Sequence, residues 1–165
     1  MKRLFLIAVA LISFSICGYA QQTLPSVDVK TLDGKTINSK DFHNDGKPFV
    51  VCFWATWCKP CMMELNTFAE NYEDWQSETG MKIYAVSIDD SRTQSKVAPL
   101  VNSSEWEFDI ILDVNSELKR ALGVNNPPHS FVVNGKGEII WQHVGFTPGD
   151  EIHLIEEIEK ALKNQ

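Results

Sequence analysis

Beyond Ala20 the sequence contains no apolar stretch of transmembrane length, no internal repeat and no low-complexity linker. Those absences exclude a membrane-spanning helix after Ala20 and a repeat architecture. Basic residues are also few, 15 Lys and Arg against 22 Asp and Glu, which argues against nucleic acid or an anionic membrane as a partner. Cysteine is scarcer still, at four residues, Cys17, Cys52, Cys58 and Cys61. A small domain stapled by disulfides would carry more of them at wider spacing. A zinc site would need further ligands near a second pair, and the chain has none.

What is present begins with a leader. Lys2 and Arg3 precede an apolar run from Leu4 to Ile16, broken by Ser13 and Ser15, and the small residues Gly18 and Ala20 follow. That order is a secretory signal peptide, residues 1–20, with cleavage expected after Ala20 and the protein expected to be exported. An uncleaved membrane anchor is the alternative; lipid attachment at Cys17 is disfavoured by the large Ile16 before it. Lys2 and Arg3 are the leader's only charges, so its removal takes the net charge from −7 to −9. Residues 21–165 are one domain's worth of chain, long enough to bury a core. They keep three cysteines, an odd number that leaves at least one thiol without an internal partner.

Elements follow from periodicity. Val27-Asp28-Val29 and Lys35-Thr36-Ile37 alternate about Asp33-Gly34 as a hairpin. Phe49 to Trp54 is continuously apolar, as a strand buried on both faces must be. After Cys58 a helix is expected, with Cys61, Leu65, Phe68, Tyr72 and Trp75 on its core side and Gly80 at its end. Pro60 suits a first helical turn, where a missing N–H costs nothing. Further strands are expected over Lys82–Ile88 and Phe108–Leu112, with helices over Arg92–Val101 and Asn115–Leu122. Ser130–Val133 and Glu138–His143 flank the turn Asn134-Gly135-Lys136-Gly137, and Pro148 opens a last helix with Ile155, Ile158 and Leu162 on one face. Strands alternating with helices predict an α/β domain whose sheet is mostly parallel, covered on both sides, with an antiparallel closing hairpin.

Cys58-Lys59-Pro60-Cys61 carries the chemistry. At a helix N-terminus the unpaired N–H groups and the dipole stabilise a thiolate, so Cys58 is expected to have a lowered pKa, to face outward and to be the attacking sulfur. Cys61, one turn on, is expected to be the buried resolving thiol. A structural disulfide is the weaker reading, because so short a loop removes little unfolded-state entropy. Pro128, after Pro127 and before a strand, suggests a cis bond presenting backbone beside the cysteines.

Phe53-Trp54-Ala55-Thr56-Trp57-Cys58-Lys59-Pro60-Cys61 resembles the active-site signature of thioredoxin-like thiol-disulfide oxidoreductases of the TlpA and ResA type, within the thioredoxin superfamily and related to the AhpC/TSA proteins. Val86-Ser87-Ile88-Asp89, Leu122-Gly123-Val124, Pro128, Phe131-Val132-Val133 and Gly137-Glu138-Ile139 follow in that family's order, over residues 24–163. The resemblance implies a thioredoxin fold, a central mixed sheet flanked by helices on both faces with an N-terminal β-hairpin extension. It implies an exported reductant of protein disulfides in the periplasm, or anchored to the membrane facing it, recharged by a membrane electron carrier of the DsbD or CcdA kind. Apocytochrome c is a client of several members. The active form is expected to be a monomer with no cofactor beyond the Cys58–Cys61 disulfide and no metal.

Around that pair Trp57, Lys59, Pro60, Glu64, Pro127, Pro128 and His129 are expected to tune the thiols or touch substrate. Glu64 stands where the family keeps a tuning acid, although a solvated first-turn glutamate is an equal reading. His129 is either a modulator of Cys58 or a loop residue. Two departures stand out. Cys52 occupies the place of thioredoxin's buried aspartate, reads as a core cysteine, and leaves Glu64 or water as the proton route. Pro127 replaces the usual threonine and has no N–H for a bound peptide. A peroxiredoxin-type peroxidase is the runner-up, weakened by the lack of a proline four residues before Cys58. A non-catalytic module that binds a client, or a metal through Met62, Met63 and His129, is the other alternative.

Overall fold

A computed structural model describes residues 22–164; the leader and Cys17 lie outside them. Among the described residues no helix is long and apolar enough to cross a membrane. The hairpin forms from β1 (Asp28–Thr31) and β2 (Thr36–Asn38). Gly34 supplies the positive φ of 86° that closes it, its N–H donating to the Thr31 carbonyl at 2.9 Å. β3 (Phe49–Trp54) is buried throughout. It leads into α1 (Lys59–Thr79), which ends as Gly80 turns left-handed and donates its N–H to Gln76. β4 (Lys82–Ser87), α2 (Val97–Ser104), β5 (Asp109–Leu112), α3 (Glu117–Ala121), β6 (His129–Val133), β7 (Ile139–Val144) and α4 (Asp150–Lys163) complete the order.

The seven strands form one sheet in the order β2-β1-β5-β4-β3-β6-β7. Only β3, β4 and β5 run parallel; every other pairing is antiparallel. The sheet is therefore mixed, and the expectation of a mostly parallel one is corrected. Strand–helix alternation dictates the crossovers among β3, β4 and β5, but the amino-terminal hairpin joins β5 antiparallel, which local pattern does not encode. The helix expected from Arg92 starts only at Val97, behind a 3-10 turn at Gln94–Lys96. The last helix starts at Asp150 rather than Pro148, with Gly149 at φ 109° before it, and buries Leu154, Ile158 and Ala161 while Ile155 and Leu162 only flank the core.

The two faces of the sheet separate cleanly. Cys52, Ser130 and His143 sit opposite one another on β3, β6 and β7, so their side chains form one row on the same face. α1 lies over that face: Glu64 meets Ser130, and Asn66 accepts from the Trp106 indole, which packs edge-on against Trp54. α4 packs beside α1, closing the same side. Phe53 and Phe131 meet edge-on on the opposite face and are also buried. α2 adds Val97 and Val101, and α3 adds Leu118, to the core. Ahead of β1, Thr23 bridges to Glu138 in the β6–β7 turn, and Ile139 donates to the Gln22 carbonyl at 2.7 Å.

Candidate active site

β3 delivers the chain to the site at its carboxyl end, the place where open α/β sheets present reactive groups. The loop from Ala55 to Trp57 is held from below. The buried Asp89 carboxylate accepts the Thr56 N–H at 2.8 Å, the Thr56 hydroxyl at 2.7 Å and the Ser87 hydroxyl at 2.9 Å. Sequence reasoning missed this role for Asp89, although the strand-end acid was visible. A carboxylate just past a parallel strand has the reach to accept from the neighbouring strand's loop.

Cys58 is the N-cap of α1, and its sulfur accepts the Cys61 N–H at 3.3 Å. Pro60 occupies the first turn, as expected. Cys58 and Cys61 are joined by a disulfide, S–S 1.97 Å and Cα–Cα 5.3 Å. Cys61 is fully buried, as expected. Cys58 does not face outward as expected: it is only 5% exposed, because its sulfur turns back over the helix start to meet Cys61. Trp57, 61% exposed, projects instead. It shares a groove of about 340 Å³ with Ile88, Arg92, Lys119, Asn125 and Pro127. Lys59 and Pro60 are exposed on the helix start.

The Pro127–Pro128 bond is cis, as suggested. Pro128 is buried and its carbonyl accepts the Gly145 N–H at 2.9 Å, so this backbone acceptor is engaged within the sheet. His129 is not a loop residue. It is buried in β6, its ring stacked on Phe131 at 4.3 Å and its Nε2 3.1 Å from the Gln142 amide oxygen. Burial lowers its pKa, partly opposed by Gln142 and helped by His143. It stands on the face of the sheet opposite Glu64. Met62 only flanks the core and Met63 is exposed.

Glu64 departs furthest from the solvated reading. It is 2% exposed, one turn below Cys61 on the core side of α1. The Ser130 hydroxyl donates to its Oε1 at 2.8 Å, and its Oε2 has no partner. Burial raises its pKa to about 8, against the Ser130 hydrogen bond that lowers it and with the Asp150 charge that adds to the rise. At neutral pH this carboxyl is mostly protonated. Cys52 is fully buried beneath it, its thiol directed at the Tyr84 carbonyl at 3.8 Å. Burial first, and the Glu64 charge second, push its pKa well above the ordinary thiol value. Cys52 thus stays a neutral core thiol, and the acid missing from β3 comes from α1 instead.

A two-sulfur bridge closing the first turn of the helix after a central parallel strand, with a cis-proline strand beside it, defines a thioredoxin-like thiol-disulfide oxidoreductase. Within that class the chain belongs to the AhpC/TSA family, whose family model matches residues 20–142. It is similar to the thiol-disulfide oxidoreductase ResA of Bacillus thuringiensis subsp. konkukian (strain 97-27), 34% identical over 121 residues, 73% of this chain and 67% of that one. It is also similar to the sporulation thiol-disulfide oxidoreductase A of Bacillus subtilis (strain 168), 28% identical over 152 residues, 87% of this chain and 90% of that one. Among solved structures, a thioredoxin-like protein from Porphyromonas gingivalis superposes with a TM-score of 0.76 at 43% identity, covering 85% of this chain and 92% of that chain.

Proposed function

We propose that the protein is an exported reductant of protein disulfides in which Cys58 is the nucleophile and Cys61 the resolving thiol. The observation that carries this reading is the pairing of Cys58, at a helix N-terminus, with a fully buried Cys61 that has the neutral acid Glu64 one turn below it.

In the reduced protein the helix terminus favours the Cys58 thiolate. That thiolate attacks one sulfur of a client disulfide; the client's other sulfur leaves as a thiolate and takes a proton. Cys61 then attacks the Cys58 sulfur of the mixed disulfide, its proton passing to a base, and the client's second thiolate departs. The protein is oxidised by two electrons and the client reduced by two. In the reverse direction an incoming thiolate attacks Cys58 and the electron pair lands on buried Cys61, where a bare thiolate is costly. A protonated Glu64 supplies the proton there. No cofactor enters either direction.

The exposed Trp57 and the groove it shares with Pro127 suit an extended client segment. The leader supports export, and the resemblance to ResA-type oxidoreductases supports work in the periplasm as a monomer, recharged by a membrane carrier of the DsbD or CcdA kind, with apocytochrome c as a client. Reduction of insulin by the mature protein with a dithiol regenerant tests the reading. Cys58→Ser should abolish it, and Cys61→Ser should accumulate a mixed disulfide visible by intact mass. Full activity of the Cys58→Ser protein would overturn the proposal. Hydrogen peroxide consumption exceeding insulin reduction would favour the peroxidase. A Cys58–Cys61 potential near that of thioredoxin, about −270 mV, supports a reductant rather than an oxidant.

A further inference from the structure

Beside Glu64, sharing no lining residue with the client groove, lies a cavity of about 10 Å³. Glu64, Ser130, His143 and Asp150 line it together with Phe68 and Phe146, whose rings meet edge-on. That volume fits one water, provided two or more polar groups hold it. Its lining joins Glu64, whose Oε2 has no partner, to the His143–Asp150 pair, Nε2 to Oδ2 3.2 Å. The side chains of that pair are 38% and 29% exposed, so the pair reaches solvent. Ser130 and His143 are direct cross-strand neighbours, which puts the outlet one strand from the residue that anchors Glu64.

We infer that Glu64 exchanges its proton with solvent through this cavity, by way of one water and the His143–Asp150 pair, with His143 as the relay residue. The inference rests on the exchange chemistry proposed above. The alternative exits are poor. Cys61 is fully buried and Cys58 nearly so, and Cys52 offers a thiol already directed at the Tyr84 carbonyl. Groups facing Glu64 are Cys52 from β3, Ser130 from β6, His143 from β7, and Asp150 and Glu151 from α4. His143 in turn faces Asp150 and influences His129. The Asp150 charge helps keep Glu64 protonated and so ready to donate.

The step balances as follows. An incoming thiolate forms a bond to the Cys58 sulfur, the Cys58–Cys61 bond breaks, and its electron pair leaves on Cys61. Glu64 gives its proton to that sulfur and becomes a carboxylate. Water in the cavity reprotonates it, and His143 passes the replacement proton from solvent.

The test is reduction of the protein's own disulfide by dithiothreitol at pH 9, where most of Glu64 starts as the carboxylate and must take up a proton before it can give one; the reaction is followed by stopped-flow tryptophan fluorescence and needs no protein client. Its outcome is therefore independent of insulin reduction. His143→Ala should slow the reaction about tenfold, less than the ~10²–10⁴-fold that loss of a general acid itself brings. Added imidazole should restore the rate, and the equilibrium potential of the Cys58–Cys61 couple should stay unchanged. His143→Gln, which keeps a side chain beside Asp150, should be as slow; it serves as the second variant if the alanine protein does not fold. An unchanged rate in either folded variant overturns the relay. So does slowing that imidazole does not rescue, or that comes with a shifted potential, because both mark a structural role.

Discussion

Replacing Glu64 by glutamine should flatten the pH dependence of the oxidised protein's stability. The buried carboxyl titrates at about 8 instead of 4.5, chiefly through burial. Between those values the folded protein holds a proton that the unfolded chain has released, so stability falls as pH rises through the window. At 1.36 kcal/mol per pKa unit the loss is roughly 3 kcal/mol between pH 4.5 and 7, and roughly 1 kcal/mol more by pH 9. Below the unfolded value and well above the folded one the contribution is level. His129, with its pKa lowered by burial, works in the opposite sense, its stability contribution rising with pH toward the ordinary 6.5. It is present in both proteins, so the difference between the two curves isolates Glu64. Glutamine keeps an oxygen to accept from Ser130 and carries no ionisation. Urea unfolding of the disulfide-intact proteins, followed at acidic, neutral and alkaline pH, reads the difference. Wild type and Glu64→Gln curves that run parallel across the window would refute the protonated buried acid, and with it the proton-donor role.

Asp89→Ala should cost about 2–4 kcal/mol in urea unfolding, because it strands the Thr56 N–H and hydroxyl that now donate to a buried carboxylate; a loss under about 1 kcal/mol would mean that the loop is held some other way. Cys52→Ala should leave the rate of insulin reduction intact, and in the folded oxidised wild type Cys52 should not react with Ellman's reagent until denaturant is added. Labelling of Cys52 in the folded protein would make it a third redox thiol.

Much of the architecture was legible because the strongest signals were local. The seam of Cys61, Leu65, Phe68, Tyr72 and Trp75 placed α1, and the uninterrupted apolar run placed β3. The sheet's parallel content was overestimated because β1, with β2 on its outer edge, finds its antiparallel partner β5 some eighty residues away, which no local periodicity reports. His129 was misplaced by one residue at a strand boundary, enough to move it from a buried row to a loop. Glu64 was the hardest to read. It falls on the edge of the apolar seam, where a glutamate normally turns to solvent, and only the Ser130 hydroxyl on a distant strand explains why it stays in. Cys58 looked exposed because the position of a helix cap is visible in sequence, whereas the folding of its sulfur back onto Cys61 is not. For Asp89 the residue was in view but its partner, Thr56, lies on a different loop.

The bridge between Thr23 and Glu138 ties the beginning of the described chain to the β6–β7 turn. The β6–β7 turn sits beside Phe49, at the start of β3, because Phe49 pairs with Val133. The disulfide sits beyond Trp54, at the other end of that strand, about 20 Å away for six extended residues. Residues 22 and 23 therefore lie at the pole opposite the sulfurs. A bead or surface coupled at Thr23 would hold the molecule by its far end and leave the sulfur end open to clients.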